Sequence, residues 1–309
     1  MATTLSQWRM DALGRLVVVA VLAGLAAFYV EPAAARDDNR DHQRICLLVD
    51  TDVATDDFRA FAVLFPHRDL RAVVVTEGIS SVLRGSTAIA LFLASGQSFA
   101  PVIPGLAASA PPSYEWLPAA RAAAERINGF LAQSVPFDAS PNKLKVALAA
   151  ALRDCRRVDV LVLGPWSSFV QYAPMLRPFI HRVVASGRPL AENNPDNFNC
   201  VYDQPACDAA DNLVRSMRSV VWVDLPADGV SYPPTQEMVD QLAAAGMPGV
   251  LRAALNADPS QWLGTRLWDD SAALYLLAPE LFAPNGAHVE PKIDEATLRA
   301  ELVRAINGR

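Results

Sequence analysis

The sequence predicts one α/β domain, a largely parallel sheet covered by helices on both faces. Three observations predict it. Apolar runs of strand length alternate with stretches of helical period along most of the chain. Of 309 residues, 52% are apolar and 19% charged, a composition that buries a sizeable core. Clusters of polar residues fall directly after apolar runs, where a parallel sheet presents the carboxyl ends of its strands to ligands. The formal net charge of −6 comes without a basic cluster, which argues against a nucleic-acid-binding module.

Residues 1–35 are set apart from the fold. Arg9 and Arg15 precede an apolar run over 16–30, and Ala33, Ala34 and Ala35 offer small residues for cleavage before Arg36. That order is the one of a secretory signal. The run is short for a membrane span, which needs about 20 residues; an uncleaved anchor is the alternative. Either places the folded part outside the cytoplasm, in the periplasm or secreted. The charged stretch 36–43 reads as a linker, and 44–309 as the domain. Four cysteines lie within that domain, Cys46, Cys155, Cys200 and Cys207. In an oxidising compartment they permit two disulfides in three connectivities, with Cys200 and Cys207 close enough to pair across a short loop. Buried free thiols are the other reading.

The elements follow in order. Residues 44–49 are a buried strand, 56–65 a helix with Phe58, Phe61, Ala62 and Phe65 at helical spacing, and Pro66 ends it. A strand over 70–76 leads to a helix over 83–94 with Gly96 just past its end. A brief strand over 101–104 precedes a loop carrying Pro111, Pro112 and Pro118, then mixed helical sequence to about 135. A helix over 143–153 leads into the strong strand 158–163, and a helix over 167–176 follows. The spans 181–186 and 219–223 read as strands on either side of a helix over 203–217. The last third reads as mainly helical, at 235–245, 249–255, 269–277 and 294–306. The pattern is Rossmann-like.

Three strand or helix ends carry chemistry. After the first strand come Asp50, Thr51, Asp52, Asp56 and Asp57, four carboxylates within eight residues. Such mutual repulsion is tolerable at a helix N-terminus or around a hard cation, which favours oxygen ligands. After the strand 158–163, Gly164 and Pro165 turn the chain before Trp166, Ser167 and Ser168, and such a turn can present a backbone carbonyl. Trp268, Asp269 and Asp270 open the helix 269–277. Between them Asn197 and Asn199 flank Phe198, amides that suit sugar hydroxyls.

Taken together and in this order, these segments resemble the inosine–uridine-preferring nucleoside hydrolases over residues 45–282. That family opens with Asp-Thr-Asp-Pro-Gly-x-Asp-Asp, matched here by Asp50, Thr51, Asp52, Asp56 and Asp57. Its Gly-Pro-Leu-Thr-Asn turn is echoed from Gly164 to Ser168, its Glu-Phe-Asn segment at Asn197 to Asn199, and its His-Asp-Pro-x-Ala element from Trp268 to Ala272. The resemblance implies a single nucleoside-hydrolase-like domain. It implies Ca²⁺ held by Asp52, Asp57, the Ser167 carbonyl and Asp269, and Asp52 as the base that activates a water held there. Asp56 and Asn199 would hold sugar hydroxyls. The chain departs from the family at Val53-Ala54 for Pro-Gly, Ile79 for Asn, Asn197 for Glu and Trp268 for His. Trp268 has no proton for acid catalysis and is expected to stack on a ring; Asn194 is expected to supply a further sugar contact. The implied reaction is hydrolysis of the N-glycosidic bond of a ribonucleoside or related riboside, by a homo-oligomer (dimer or tetramer). A catalytically weak nucleoside- or sugar-binding protein of the same fold is the alternative. A phosphatase of the haloacid-dehalogenase type is disfavoured by Ala54, where that pattern wants Thr or Val, and by the lack of a phosphate-loop lysine.

Overall fold

The computed structural model describes residues 45–127, 130–132, 139–189, 197–217, 219–226 and 232–309. The strands are β1 (Ile45–Thr51), β2 (Leu70–Val75), β3 (Val102–Pro104), β4 (Arg126–Ile127), β5 (Phe130–Leu131), β6 (Arg157–Val162), β7 (Ile180–Ser186), β8 (Val220–Val223), β9 (Phe282–Asn285) and β10 (His288–Pro291). Among the described residues, eight of them form one sheet in the order β3-β2-β1-β6-β7-β8-β10-β9, and β4 and β5 pair separately. Every neighbouring pair in the large sheet is parallel except β10 with β9.

Strand order reverses between β1 and β6. From β1 the chain steps outward through β2 to β3, then returns to β6 on the other side of β1 and steps outward again. At such a reversal the crossover connections diverge and leave a crevice above the carboxyl ends of the two central strands. The acidic segment follows β1 and the Gly164–Ser168 turn follows β6, so topology alone brings these two motifs side by side.

The helices are α1 (Thr55–Leu64), α2 (Val82–Ser95), α3 (Leu117–Ala124), α4 (Pro141–Ala151), α5 (Phe169–Leu176), α6 (Phe198–Val201), α7 (Gln204–Val214), α8 (Gln236–Asp240), α9 (Gly246–Ala257), α10 (Pro259–Trp262), α11 (Trp268–Tyr275) and α12 (Glu295–Ile306). Side chains of a strand alternate between faces, and β1 shows the consequence. Leu47 and Val49 join a core with Phe58, Phe61, Phe92 and Leu302 on one side; Cys46 and Leu48 join Leu148, Phe169 and Tyr172 on the other. Each fully buried Phe or Leu contributes about 2 kcal/mol. All ten residues of α1 are buried, because α11 and α12 cover the face that a surface helix would leave to water.

Most expected elements form within a few residues of their expected bounds, with three differences, the first being the short β4–β5 pair inside the stretch read as mixed helical to about 135. The region read as mainly helical contains the β9–β10 hairpin, whose turn holds Gly286 at φ 63°. Asn285-Gly286 is a hairpin signal, and Pro284 and Pro291 are tolerated on short strands at the margin of a sheet. The helix expected over 235–245 is only one turn and a half, α8. Beyond it the Ala243 N–H is taken by the Asn307 side chain at 2.8 Å, which leads the chain away from the helical path. Cys46 pairs with Cys155 and Cys200 with Cys207, and no free cysteine remains among the described residues, so the free-thiol reading does not hold. No helix among the described residues is long and apolar enough to cross a membrane. The expected signal or anchor over 1–35 and the linker over 36–43 lie outside the described residues.

Candidate active site

The carboxyl end of β1 sends its side chains to opposite faces, as alternation requires. Asp50 turns into the layer of α4, α5 and α7, where it accepts hydrogen bonds from Thr76 Oγ1 at 2.5 Å and Tyr172 OH at 2.9 Å. Thr51 turns the other way and donates to Asp57 Oδ1, while its oxygen accepts from the Val53 N–H at 3.0 Å. Asp57 Oδ2 accepts from the Ala54 N–H at 2.7 Å, so this carboxylate caps the first turn of α1 where Ala54 itself offers no acceptor. Val53 sits in the left-handed region at φ 55°. For a β-branched residue this is a strained backbone, at a cost of about 1–3 kcal/mol. Ser80 Oγ donates to the Val53 carbonyl at 2.7 Å and holds it there.

Asp52 leaves the strand into the crevice. Its Oδ2 accepts from the Ile79 N–H at 2.9 Å. Two glycines press on it: a Cβ at Gly78 would lie 2.2 Å from Asp52 Oδ2, and one at Gly164 would lie 2.7 Å from the Asp52 nitrogen. Both positions require glycine for this close approach. Ile79 therefore contributes through its backbone, at the place where the family offers an Asn side chain.

Asp56, Asp57 and Asp269 bring carboxylate oxygens within 4.8 Å of one another, and all three are buried. Asp56 and Asp57 lie in the first turn of α1 and Asp269 in the first turn of α11, so two helix N-termini face each other across the acidic group. Asp52 adjoins them. Burial raises Asp52 to about 7 and Asp56 to about 6, and raises Asp57 and Asp269 well above the usual carboxylate range. Repulsion within the group adds to that effect at Asp52, Asp57 and Asp269, and at Asp56 the Arg59 guanidinium opposes it while Asp270 reinforces it. Arg59 itself is committed elsewhere. It grips Asp270 through two bonds at 2.9 and 3.0 Å and donates to the carbonyls of Trp262 and Arg266, each at 2.9 Å. An oxygen-only donor set of buried carboxylates, which no side chain pairs directly among the described residues, fits a hard divalent ion.

A cleft of about 580 Å³ opens over this floor. Asp52, Asp56 and Asp269 line its base, and Trp116, Phe198 and Trp268 its walls. Trp116 is 49% and Trp268 39% exposed, unusual for such large rings outside a binding surface. Tyr114, Trp116, Phe198 and Tyr202 form a continuous aromatic group with ring centres 5.1–5.8 Å apart. Across the cleft Arg188 Nε meets Asp224 Oδ2 at 3.0 Å.

The expected site residues divide accordingly. Asp52, Asp56, Asn197, Asn199, Trp268 and Asp269 line one cleft, and Asp57 lies buried beneath it. The described trio of converging oxygens contains Asp56, with Asp52 alongside it. Asn197 spends its amide on the chain, donating to the Arg188 carbonyl at 3.0 Å and accepting from the Cys200 N–H at 3.3 Å. Asn199 donates to the Leu163 carbonyl at 2.7 Å and lines the cleft. Ser167 is buried beside the site, and its hydroxyl donates to Asp203. Asn194 lies outside the described residues.

Sequence reasoning missed several contributors. Arg59 was passed over as part of a helix, although an arginine among Phe58, Phe61 and Ala62 is itself a signal of a buried partner. Arg121 of α3 donates to the carbonyls of Gly78 and Ile79, both at 2.8 Å, and so holds the loop that delivers the Ile79 N–H to Asp52. Trp116 carried no local signal.

No protein-family model and no curated protein matches the sequence. Solved structures do match the fold. The purine-preferring ribonucleoside hydrolase from Gardnerella vaginalis is 18% identical, with a TM-score of 0.57 over 85% of this chain and 98% of that one. An inosine-guanosine nucleoside hydrolase is 13% identical, with a TM-score of 0.64 over 85% of this chain and 99% of its own. The inosine-uridine preferring nucleoside hydrolase from Bacillus anthracis is 13% identical, with a TM-score of 0.58 over 86% of this chain and all of that one. The described domain thus has the fold of the nucleoside hydrolases, with an acidic group and an aromatic cleft at its topological switch point.

Proposed function

We propose that the protein is a Ca²⁺-dependent hydrolase of the N-glycosidic bond in a ribonucleoside or related N-riboside. The observation that carries the reading is the group of buried, mutually repelling aspartates beneath an aromatic-walled cleft in this fold. Asp52, Asp57, Asp269 and the Ser167 carbonyl are the residues that would hold the ion. Bound there, calcium supplies positive charge that polarises oxygen ligands and offsets the repulsion among the carboxylates. Asp52, oriented by the Ile79 N–H, takes a proton from the attacking water. Asp56 and the Asn199 oxygen hold sugar hydroxyls while the ring flattens toward an oxocarbenium ion. Trp268, Trp116 and Phe198 flank a planar aglycone and keep water from it.

Among the described residues that line the cleft there is no histidine. This favours, as the second reading, a protein that binds nucleosides with little turnover. Ribose release from a nucleoside panel decides between them. Turnover that chelator removes, calcium restores and Asp52→Ala abolishes supports the enzyme; tight nucleoside binding without ribose release supports the binding protein. Export is part of the proposal, supported by two disulfides that suit an oxidising compartment. So is a dimer or tetramer, which the mass measured by sedimentation in solution tests.

A further inference from the structure

Cleavage of an N-glycosidic bond sends the bonding electron pair to the aglycone nitrogen, and that charge must be stabilised or protonated. The described cleft offers no histidine, lysine, tyrosine or cysteine for the purpose. Its carboxyls on the floor surround the sugar side, and Asp224 has its oxygens engaged by the Arg188 guanidinium and the Leu225 N–H. One cationic side chain remains. Arg266 lines the cleft with its guanidinium carbon 5.4 Å from the centre of the Trp268 ring, and among the described residues no carboxylate pairs with it. Its backbone is fixed, because its carbonyl accepts from the buried Arg59. Trp268 directly precedes Asp269, so an aglycone against the indole adjoins the acidic floor and lies within reach of the guanidinium.

We propose that Arg266 is the catalytic residue that stabilises the departing aglycone as an anion, so that the site selects ribosides whose aglycone delocalises negative charge onto a ring carbonyl. The inference rests on the hydrolase reading above. In the step the C–N bond breaks with its electron pair moving to the aglycone, and the water oxygen bonds to the anomeric carbon. The water proton passes to Asp52 and later, through solvent, to the released aglycone; the sum is riboside plus water giving ribose plus protonated aglycone. Arg266 remains protonated throughout and acts by charge and hydrogen bonding, with the planar donor edge that suits a carbonyl oxygen. Its stacking on Trp268 holds the guanidinium without neutralising it.

The experiment compares two ribosides in wild type, Arg266→Ala and Arg266→Lys with calcium present. One is inosine, whose hypoxanthine is a poor leaving group; the other is 4-nitrophenyl riboside, whose nitrophenolate departs unaided. Arg266→Ala is expected to lower kcat on inosine by about 100-fold and on the nitrophenyl riboside by less than about 5-fold, with added guanidinium restoring part of the loss. Arg266→Lys is expected to retain an intermediate rate on inosine. Equal losses on both substrates, or a leaving-group-dependent loss in Asp224→Asn instead, would overturn the role of Arg266. Absence of wild-type ribose release from both ribosides would instead overturn the hydrolase reading. A binding measurement needs no turnover: quenching of tryptophan fluorescence by 4-nitrophenolate should weaken about 10-fold in Arg266→Ala, and an unchanged affinity counts against the inference.

Discussion

The two ends of the sheet treat buried carboxylates in opposite ways. Toward the amino ends of the strands, Asp159 of β6 is paired by two guanidinium groups, Arg68 Nη2 at 2.6 Å and Arg182 Nε at 3.1 Å, with His181 Nδ1 at 2.8 Å beside them. At the carboxyl ends, among the described residues, Asp52, Asp56, Asp57 and Asp269 form no ion pair with a side chain, and Arg59, which favours ionisation of Asp56 from a distance, is bound to Asp270. Helix α11 joins the two regions. Its first turn carries Asp269, and the carbonyl of Leu276 at its end accepts from Arg68 and Arg182, each at 3.3 Å. Both contacts follow the helix dipole. The same fold can therefore satisfy a buried acid when stability is the only demand. Leaving four at the cleft with hydrogen bonds but no ion pair among the described residues marks that end as suited to completion by something from outside the chain.

The largest expected effect separates the ends by function. Asp52→Asn should lower turnover about 1000-fold while calcium affinity falls far less, because the lost group is a base held by Ile79. A proportional loss of both would make Asp52 chiefly a ligand. Next comes stability. Asp159→Ala strands cations at the amino end and should destabilise the protein by about 2 kcal/mol, with or without calcium, after allowance for the partial exposure of its partners. Asp269→Asn removes one of the repelling groups and should leave the calcium-free melting temperature equal or higher, while cancelling the rise that calcium brings. Chemical or thermal unfolding of both variants checks this contrast.

Acidity sharpens the difference further. In the folded, calcium-free protein Asp52 titrates at about 7 and Asp56 at about 6, against 3.8 as their ordinary value. The folded state thus binds more protons than the unfolded one between these values, so stability is fully present below about pH 4 and is lost as pH rises through 6–7. Melting in chelator should decline over that window, and calcium should flatten the decline. A calcium-free melting temperature that climbs across the window would contradict the burial of these groups. The smallest effect concerns the loop beside Asp52. Arg121→Ala should reduce kcat about 10-fold with KM little changed, since it frees the Gly78 and Ile79 carbonyls without touching the cleft floor.

How much of this was legible depended on the range of the interaction. Strands β1 and β6 are contiguous apolar runs, and the four aspartates follow the first of them within eight residues. Local pattern therefore located half the site. Asp269 lies more than two hundred residues away and reads locally as a helix cap; only its family-like setting drew attention to it. Arg59 meets Asp270 across a separation of 211 residues, and nothing near Arg59 reveals its partner. Gly78 and Gly164 are ordinary turn glycines in the sequence, and their need for a hydrogen side chain arises only when β1, β2 and β6 lie together around Asp52. The β9–β10 hairpin was missed because two strands of four residues with a proline each carry little alternation to read.

The central claim is that a divalent ion completes the carboxyl end of the sheet. Calorimetric titration of calcium into chelator-treated protein at about pH 6.5, repeated in two buffers of different ionisation enthalpy, tests it most directly. One ion bound per chain with net release of protons into the buffer is the predicted result. Absence of saturable binding, or binding with no proton release, would contradict it.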